Sequence, residues 1–372
     1  MSPVSDDKIS FTTFHNVINN ELADTAITRR TDVDSAVSAA KAAFTSWSKL
    51  SQDERADHLK FADAIEANHQ EFIGLLGKET GKPPLTAAFE LQLVMGLARD
   101  TPKLRLKEEK LIDDADPTAI VRYIPLGVGV GIVPWNFPLT LGIGKAFPAL
   151  LAGNAFILKP SPYSPYTALK LVELGARIFP PGVLQVLSGE ESLGPLFTAH
   201  PDVAKISFTG SVSTGKKVMA ACSSTLKRFT LELGGNDAAI VCDDVDIDSV
   251  VAFLTFVHCG EICMNIKRIY VHENIYDQFL AAMVAATKQF KTGDHADPEA
   301  FFGPVQNQMQ YKKLQIFYSQ IGEKGWKTAL GGNSSIVVDE PFGPIVPVLK
   351  WRDEEDVIRR ANASRLGLGA SV

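Results

Sequence analysis

The sequence predicts an α/β protein: a parallel sheet with helices on both faces, followed by a second α/β region. Three observations point there. From Gly129 onward, short apolar runs alternate with amphipathic helical stretches, a rhythm that implies right-handed crossovers between parallel strands. A second alternation of the same kind begins after Glu232. The length of 372 residues, 45% of them hydrophobic, suffices for a large core and two or three domains.

Residues 1–30 carry weak signals. At Thr31-Asp32-Val33-Asp34, Thr31 can cap a helix and Asp34 completes a capping box. Val33, Val37, Ala40, Ala43, Phe44 and Trp47 then recur at helical spacing. A second helix is predicted from about Gln52 to Ala67 and a third from about Gln70 to Thr80, ended by Gly81 and Pro83. Residues 85–109 begin helical and turn charged and irregular, so the N-terminal third reads as a helical layer. Ala119–Pro125 alternates and reads as one arm of a β-hairpin after a turn at Asp113–Pro117. Strands are predicted at Gly129–Pro134, Ala155–Lys159, Val183–Leu187, Ala204–Phe208 and Phe229–Leu233. Helices are predicted near 140–152, 164–178, 191–199 and 213–224. After Glu232, strands at Ala238–Cys242, Lys267–Val271 and Ile345–Leu349 accompany helices near 245–257, 275–290, 305–322 and 353–362.

A net charge of −6 without a clustered basic run argues against a nucleic-acid partner. Cys222, Cys242, Cys259 and Cys263 are too few for a disulfide framework in so long a chain and fit a reducing compartment. Cys259 and Cys263, with His258 beside them, lack a second pair of ligands at zinc spacing, so no metal is expected. Met1–Ser10 is polar and acidic, unlike a signal peptide, and no apolar run approaches a membrane span. The chain therefore reads as soluble and cytoplasmic.

In parallel sheets ligands sit at the carboxyl ends of the strands. The first strand ends in Pro134-Trp135-Asn136-Phe137-Pro138, a rigid turn that holds one side-chain amide in a fixed direction. Such an amide suits an oxyanion; it could equally satisfy its own turn. The second ends in Lys159-Pro160-Ser161, where a lysine could reach a phosphate or a ribose hydroxyl. The fourth ends in Gly210-Ser211, and small residues opening a helix make an anion site. Gly210, Gly215 and Lys216 nearly spell a phosphate-binding loop, but Lys217 stands where magnesium needs Ser or Thr. Gly127, Gly129 and Gly131 have the wrong spacing for a dinucleotide fingerprint. Further on, Leu231-Glu232-Leu233-Gly234-Gly235-Asn236-Asp237 places an acid before two glycines, and Gly260-Glu261-Ile262-Cys263-Met264-Asn265 places a thiol in a polar loop. A thiol nucleophile needs a lowered pKa, and its acyl product needs a base to activate water.

In this order the pieces resemble the aldehyde dehydrogenase family, from about residue 31 to the end. The resemblance implies a dinucleotide-binding domain over 1–110 and 126–232, an oligomerisation hairpin arm over 111–125 and a catalytic domain over 233–372. It implies Cys263 as nucleophile, Glu232 as general base and Asn136 as oxyanion donor together with the Cys263 backbone N–H. Cofactor contacts would come from Ile132, Trp135, Lys159, Ser161, Gly210, Ser211 and Gly215, with Glu340 and Phe342 at the nicotinamide end. The cofactor would be NAD or NADP, since Pro162 stands where NAD-preferring relatives often carry a Glu. The substrate would be a small aldehyde, and the family implies a homo-oligomer.

Four departures from the family are visible. Thr25–Arg30 runs straight into a helix where relatives have strands. Glu232 and Cys263 are 31 residues apart, a few fewer than the family spacing, and in a helix each lost residue removes about 1.5 Å and about 100° of turn. Glu261 replaces the usual Gln, bringing a negative charge that would disfavour the thiolate if it lies close. Gly331–Ser335 joins directly to Ile336–Val338, and the chain stops at Val372, before the family's C-terminal part and its pairing strand. These gaps make the catalytic domain truncated and motivate an alternative: a catalytically impaired dinucleotide-binding remnant or partner subunit.

Overall fold

The structure, a computed structural model, describes residues 2–3, 9–23, 29–59, 61–113, 118–253, 257–323 and 339–372. The chain divides into two compact units, Met1–Leu75 with Ala88–Glu232, and Leu76–Ala87 with Leu233–Val372.

Strands β1 (Ser2–Pro3), β2 (Val17–Ile18) and β3 (Glu21–Leu22) lie in the stretch that carried weak signals. Two residues each are too few to display an alternating period. Helix α1 (Arg30–Trp47) starts earlier than predicted. Arg29 is its cap, and its backbone N–H donates to Asp32 Oδ2 at 2.7 Å, so Asp32 rather than Asp34 makes the return bond, while the arginine side chain has no acceptor to complete a box. The predicted second helix is two, α2 (Gln52–His58) and α3 (Ala62–Glu66). Leu59 and Phe61 are both fully buried, and two positions apart on one continuous helix they would face nearly opposite sides. Helices α4 (His69–Thr80) and α5 (Pro84–Asp100) follow, then the antiparallel hairpin of β4 (Glu109–Asp113) and β5 (Thr118–Val121). Leu111, Ile112 and Ile120 on this hairpin are exposed.

The main sheet then forms from β6 (Val128–Ile132), β7 (Ala155–Lys159), β8 (Leu184–Val186), β9 (Val203–Thr209) and β10 (Arg228–Glu232), all parallel. Its order is β1-β3-β2-β8-β7-β6-β9-β10. The chain steps outward from β6 to β7 and β8, then returns to the other side of β6 for β9 and β10. The β6/β9 boundary is thus the topological switch point, where the carboxyl ends open a crevice. Helices α6 (Pro138–Leu151), α7 (Tyr166–Gly175), α8 (Leu193–Ala199) and α9 (Val212–Ser223) connect these strands. The amides opening α6 find a carboxylate on α5: Leu139 N–H and Thr140 N–H donate to Glu90 Oε1 at 2.9 and 3.2 Å. A buried anion at a helix N-terminus satisfies free donors and complements the helix dipole.

The second unit carries β11 (Asp237–Val241), α10 (Ile247–Phe253), β12 (Ile266–His272), α11 (Tyr276–Gln289), α12 (Gln308–Glu323), β13 (Val348–Trp351), α13 (Glu354–Asn362) and β14 (Ala370–Ser371). Its sheet, β13-β12-β11-β14, is parallel throughout. Val241, Val251, Ile269, Val271, Phe279 and Met283 form a core on it. Strand β13 begins later than the predicted Ile345 because the backbone turns first: Phe342 has φ 49° and Ile345 N–H donates to Gly343 O at 2.7 Å. Buried Arg268 ties the sheet to the end of α13, donating to the Asn236, Arg360 and Ala361 carbonyls. Most of the predicted hairpin turn, residues 254–256 and the Gly331–Val338 junction lie outside the described residues, as does most of Thr25–Arg30.

Glu90→Ala should leave one buried and one part-buried amide without their acceptor and cost about 2 kcal/mol, read as a lower urea midpoint. Glu90→Gln, which keeps an oxygen, should recover most of it.

Candidate active site

In the first unit the predicted residues line the carboxyl edge of the sheet. Ile132 ends β6 and is buried, Trp135 is half-buried, and Asn136 is buried in the turn that leads into α6. Lys159 ends β7 and is also buried; burial pushes its ammonium down to about 8, opposed by the charge of Glu191. Buried Ser161 accepts the Tyr163 N–H at 3.2 Å. Ser211 caps α9, its Oγ accepting the Thr214 N–H at 3.2 Å. Gly215 lies inside α9, where its N–H donates to Ser211 O at 2.9 Å. Gly215 and Lys216 are therefore helical, and no phosphate-binding loop of the nucleotide-triphosphatase kind exists here. Glu232 ends β10, and its carbonyl accepts the Gly210 N–H at 3.0 Å. Its side chain is exposed.

The residues present fit a dinucleotide. A helix opening on Gly210 and Ser211 at the switch point offers backbone donors and dipole to a pyrophosphate. The buried Lys159 cation, one strand further, offers a donor for ribose hydroxyls.

In the second unit one ammonium joins the remaining predicted residues. Lys267 Nζ donates to Cys263 O at 2.6 Å, lies 3.0 Å from Glu340 Oε1 and stands 6.0 Å from the Phe342 ring centroid. Burial pushes the Cys263 thiol up; Lys267 opposes this and Glu340 adds to it. Burial likewise pushes the Glu340 carboxyl up, with Lys267 opposing. Gly234 has φ +87°, and a Cβ there would stand 2.5 Å from Glu340 Oε2, so the first of the two glycines after Glu232 makes room for this carboxylate. Glu261 does not face Cys263. It is fully buried, and its charge adds to the burial that pushes the Cys259 thiol up.

Three residues were not singled out from the sequence. Lys145 is the one charged residue in the apolar run that became α6; its Nζ donates to Ser207 Oγ at 3.2 Å. Burial pushes it down to about 8, with the charge of Glu232 opposing. A lone charge in an apolar helix was the available signal. Lys267 and Glu90 gave none, because burial of a charge is a tertiary property. Among the described residues, no group of three or more His, Cys, Asp or Glu side chains is placed to hold a metal ion, and no helix is long and apolar enough to cross a membrane.

Comparison with known proteins gives a consistent picture. The model of the Aldehyde dehydrogenase family matches residues 4–372. Aldehyde dehydrogenase LUC3 of Fusarium sp is 39% identical over 408 residues, covering 98% of this chain and 86% of that protein. An aldehyde dehydrogenase of Bacillus cereus, solved as an NAD+ complex, superposes with a TM-score of 0.91 at 28% identity, covering 96% of this chain and 83% of that one. An NADP-dependent enzyme of E. coli superposes with a TM-score of 0.88 at 30% identity, covering 96% and 84%.

Lys267→Met should cost about 3 kcal/mol by stranding a largely buried carboxylate, read as a lower urea midpoint. Lys267→Met combined with Glu340→Leu should recover much of the loss. An unchanged midpoint in the single variant would contradict the bridge.

Proposed function

The chain belongs to the aldehyde dehydrogenase family, and on that premise we propose that it oxidises an aldehyde to a carboxylic acid with NAD or NADP through a thioester on Cys263. The observation that carries the reading is the Lys267 bridge. It fixes the backbone of Cys263 and the carboxylate of Glu340 by one charge, at positions matching the family's nucleophile and its nicotinamide-ribose contact.

The roles follow from side-chain chemistry. Cys263 Sγ, once deprotonated, bonds to the aldehyde carbon. The Asn136 amide donates to the oxygen that becomes an alkoxide, an interaction stronger in the transition state than in the ground state. NAD or NADP, when bound, would supply the acceptor for the hydride whose loss from this adduct leaves a thioester. Glu232 then takes a proton from water, which attacks the thioester and releases the acid. Lys159 and the Gly210-Ser211 opening of α9 would hold the adenosine and pyrophosphate; Ile132 and Trp135 would line the same edge, and Glu340 and Phe342 would meet the nicotinamide end. The exposed apolar hairpin supports reading 111–125 as an arm that builds a homo-oligomer.

A second reading, a remnant that binds the cofactor without turnover, draws on the alignment to the Fusarium relative. That alignment spans 408 positions against 372 residues here, so the relative carries segments this chain lacks.

Aldehyde-dependent absorbance of reduced cofactor separates the two. Cys263→Ala should abolish it, and Asn136→Ala should lower kcat by roughly 100-fold, about 3 kcal/mol. Cofactor binding with no absorbance change across an aldehyde panel would support the remnant. For the arm, Leu111→Glu with Ile120→Glu should reduce the mass seen by light scattering, and an unchanged mass would refute that role.

A further inference from the structure

The second unit also buries a charged cluster that the reaction does not use. Lys82, His258, Cys259 and Glu261 are all buried, and Glu261 is two residues before Cys263. Both Glu261 carboxylate oxygens lie 3.4 Å from the Gln306 backbone nitrogen, which donates to them. His258 Nε2 lies 3.8 Å from Glu261 Oε2, and the Lys82 ammonium acts on both side chains. Around them, Gln306 Nε2 donates to Glu79 O at 3.0 Å and Cys259 Sγ to Gly303 O at 2.9 Å.

The backbone here is strained. His258 (φ 51°), Cys259 (φ 52°) and Gly260 (φ 76°) are successive left-handed residues. Gly260 admits no side chain, since a Cβ would stand 2.3 Å from Gly343 O. The turn closes with Glu261 N–H donating to His258 O at 2.9 Å. Two non-glycine residues persist in this conformation when their surroundings over-determine it. Glu261 is the charged side chain at the exit of the turn, where the cysteine loop begins.

We propose that Glu261 is a positioning residue for Cys263: ionised, it is held by the Gln306 N–H under the positive charge of Lys82 and locks the left-handed turn that aims the thiol; protonated, it releases that turn. The groups facing it are Lys82, His258 and Cys259. Burial holds His258 well below its usual value, with Lys82 adding to this, and therefore neutral. Burial, then the Glu261 charge, pushes Cys259 up to about 12, so it stays a thiol. Burial pushes Glu261 itself up to about 8, with the Gln306 N–H and Lys82 opposing. Acidification below that value neutralises the carboxyl and loosens the grip.

The inference rests on Cys263 as nucleophile. Its test reads thiol chemistry rather than turnover, so either reading can fail without the other. The experiment is iodoacetamide alkylation of the full chain, with the Cys263 peptide quantified by mass spectrometry. With two ionisations required, the rate should rise by more than tenfold and toward a hundredfold per pH unit between about pH 6 and 8. In the charge-free pair Lys82→Met with Glu261→Gln it should rise by about tenfold, as the thiol alone dictates, while Glu261→Asp should keep the steeper rise. A wild-type rise of about tenfold overturns the proposal without recourse to any variant, and so does an equally steep rise in the folded charge-free pair. If that pair does not fold, Glu261→Gln alone is read by the same criterion.

Discussion

One buried ammonium holds together the loops of the second unit that carry the candidate site. Lys267 sits on a strand between Ile266 and Arg268, almost wholly removed from water, with a carbonyl oxygen and a carboxylate as partners. A buried cation persists only where such partners replace water. Satisfying it draws the cysteine loop and the Glu340–Phe342 turn to the same strand. Around that demand the local backbone is arranged: Gly234 lacks a side chain where Glu340 approaches, and Phe342 adopts a left-handed conformation before β13 can start.

The first unit works by a different constraint. Parallel strands joined by helices deliver their loops to one edge, and the reversal of strand order at β6 and β9 opens that edge. Asn136 and the start of α9 stand on the two strands that flank the opening, and Lys159 on the next. The turn holding Asn136 is in turn fixed by Glu90, which satisfies the first amides of α6 from a neighbouring helix. A rigid amide at a strand end is what an oxyanion donor requires, since reorganisation at the moment of reaction would cost rate.

The legibility of the sequence followed the range of the forces involved. Ala155–Lys159 was read to the residue, because its apolar run is bounded by Asn154 and Pro160. The order of helices and strands was likewise local information. Missed features had non-local causes. The split of α2 from α3 reflects two buried side chains competing for one side, and the late start of β13 reflects a turn. Glu261 shows the limit most clearly. Adjacency to Cys263 suggested a charge repelling the thiolate if the two lie close, yet Glu261 is buried, accepts the Gln306 N–H and feels the charge of Lys82, both distant in sequence. Lys267 and Glu90 gave no sign of their burial in the sequence, since it comes from contacts made only by the fold.

The central claim is covalent. An aldehyde carbon should become bonded to Cys263 before water releases it. Acid quenching of a Glu232→Gln variant during reaction with an aldehyde and NAD, followed by peptide mass spectrometry, tests this directly. The account requires an added mass equal to the acyl group on the peptide containing Cys263. Reduced cofactor formed without that adduct, or an acyl group found on another cysteine, would contradict it.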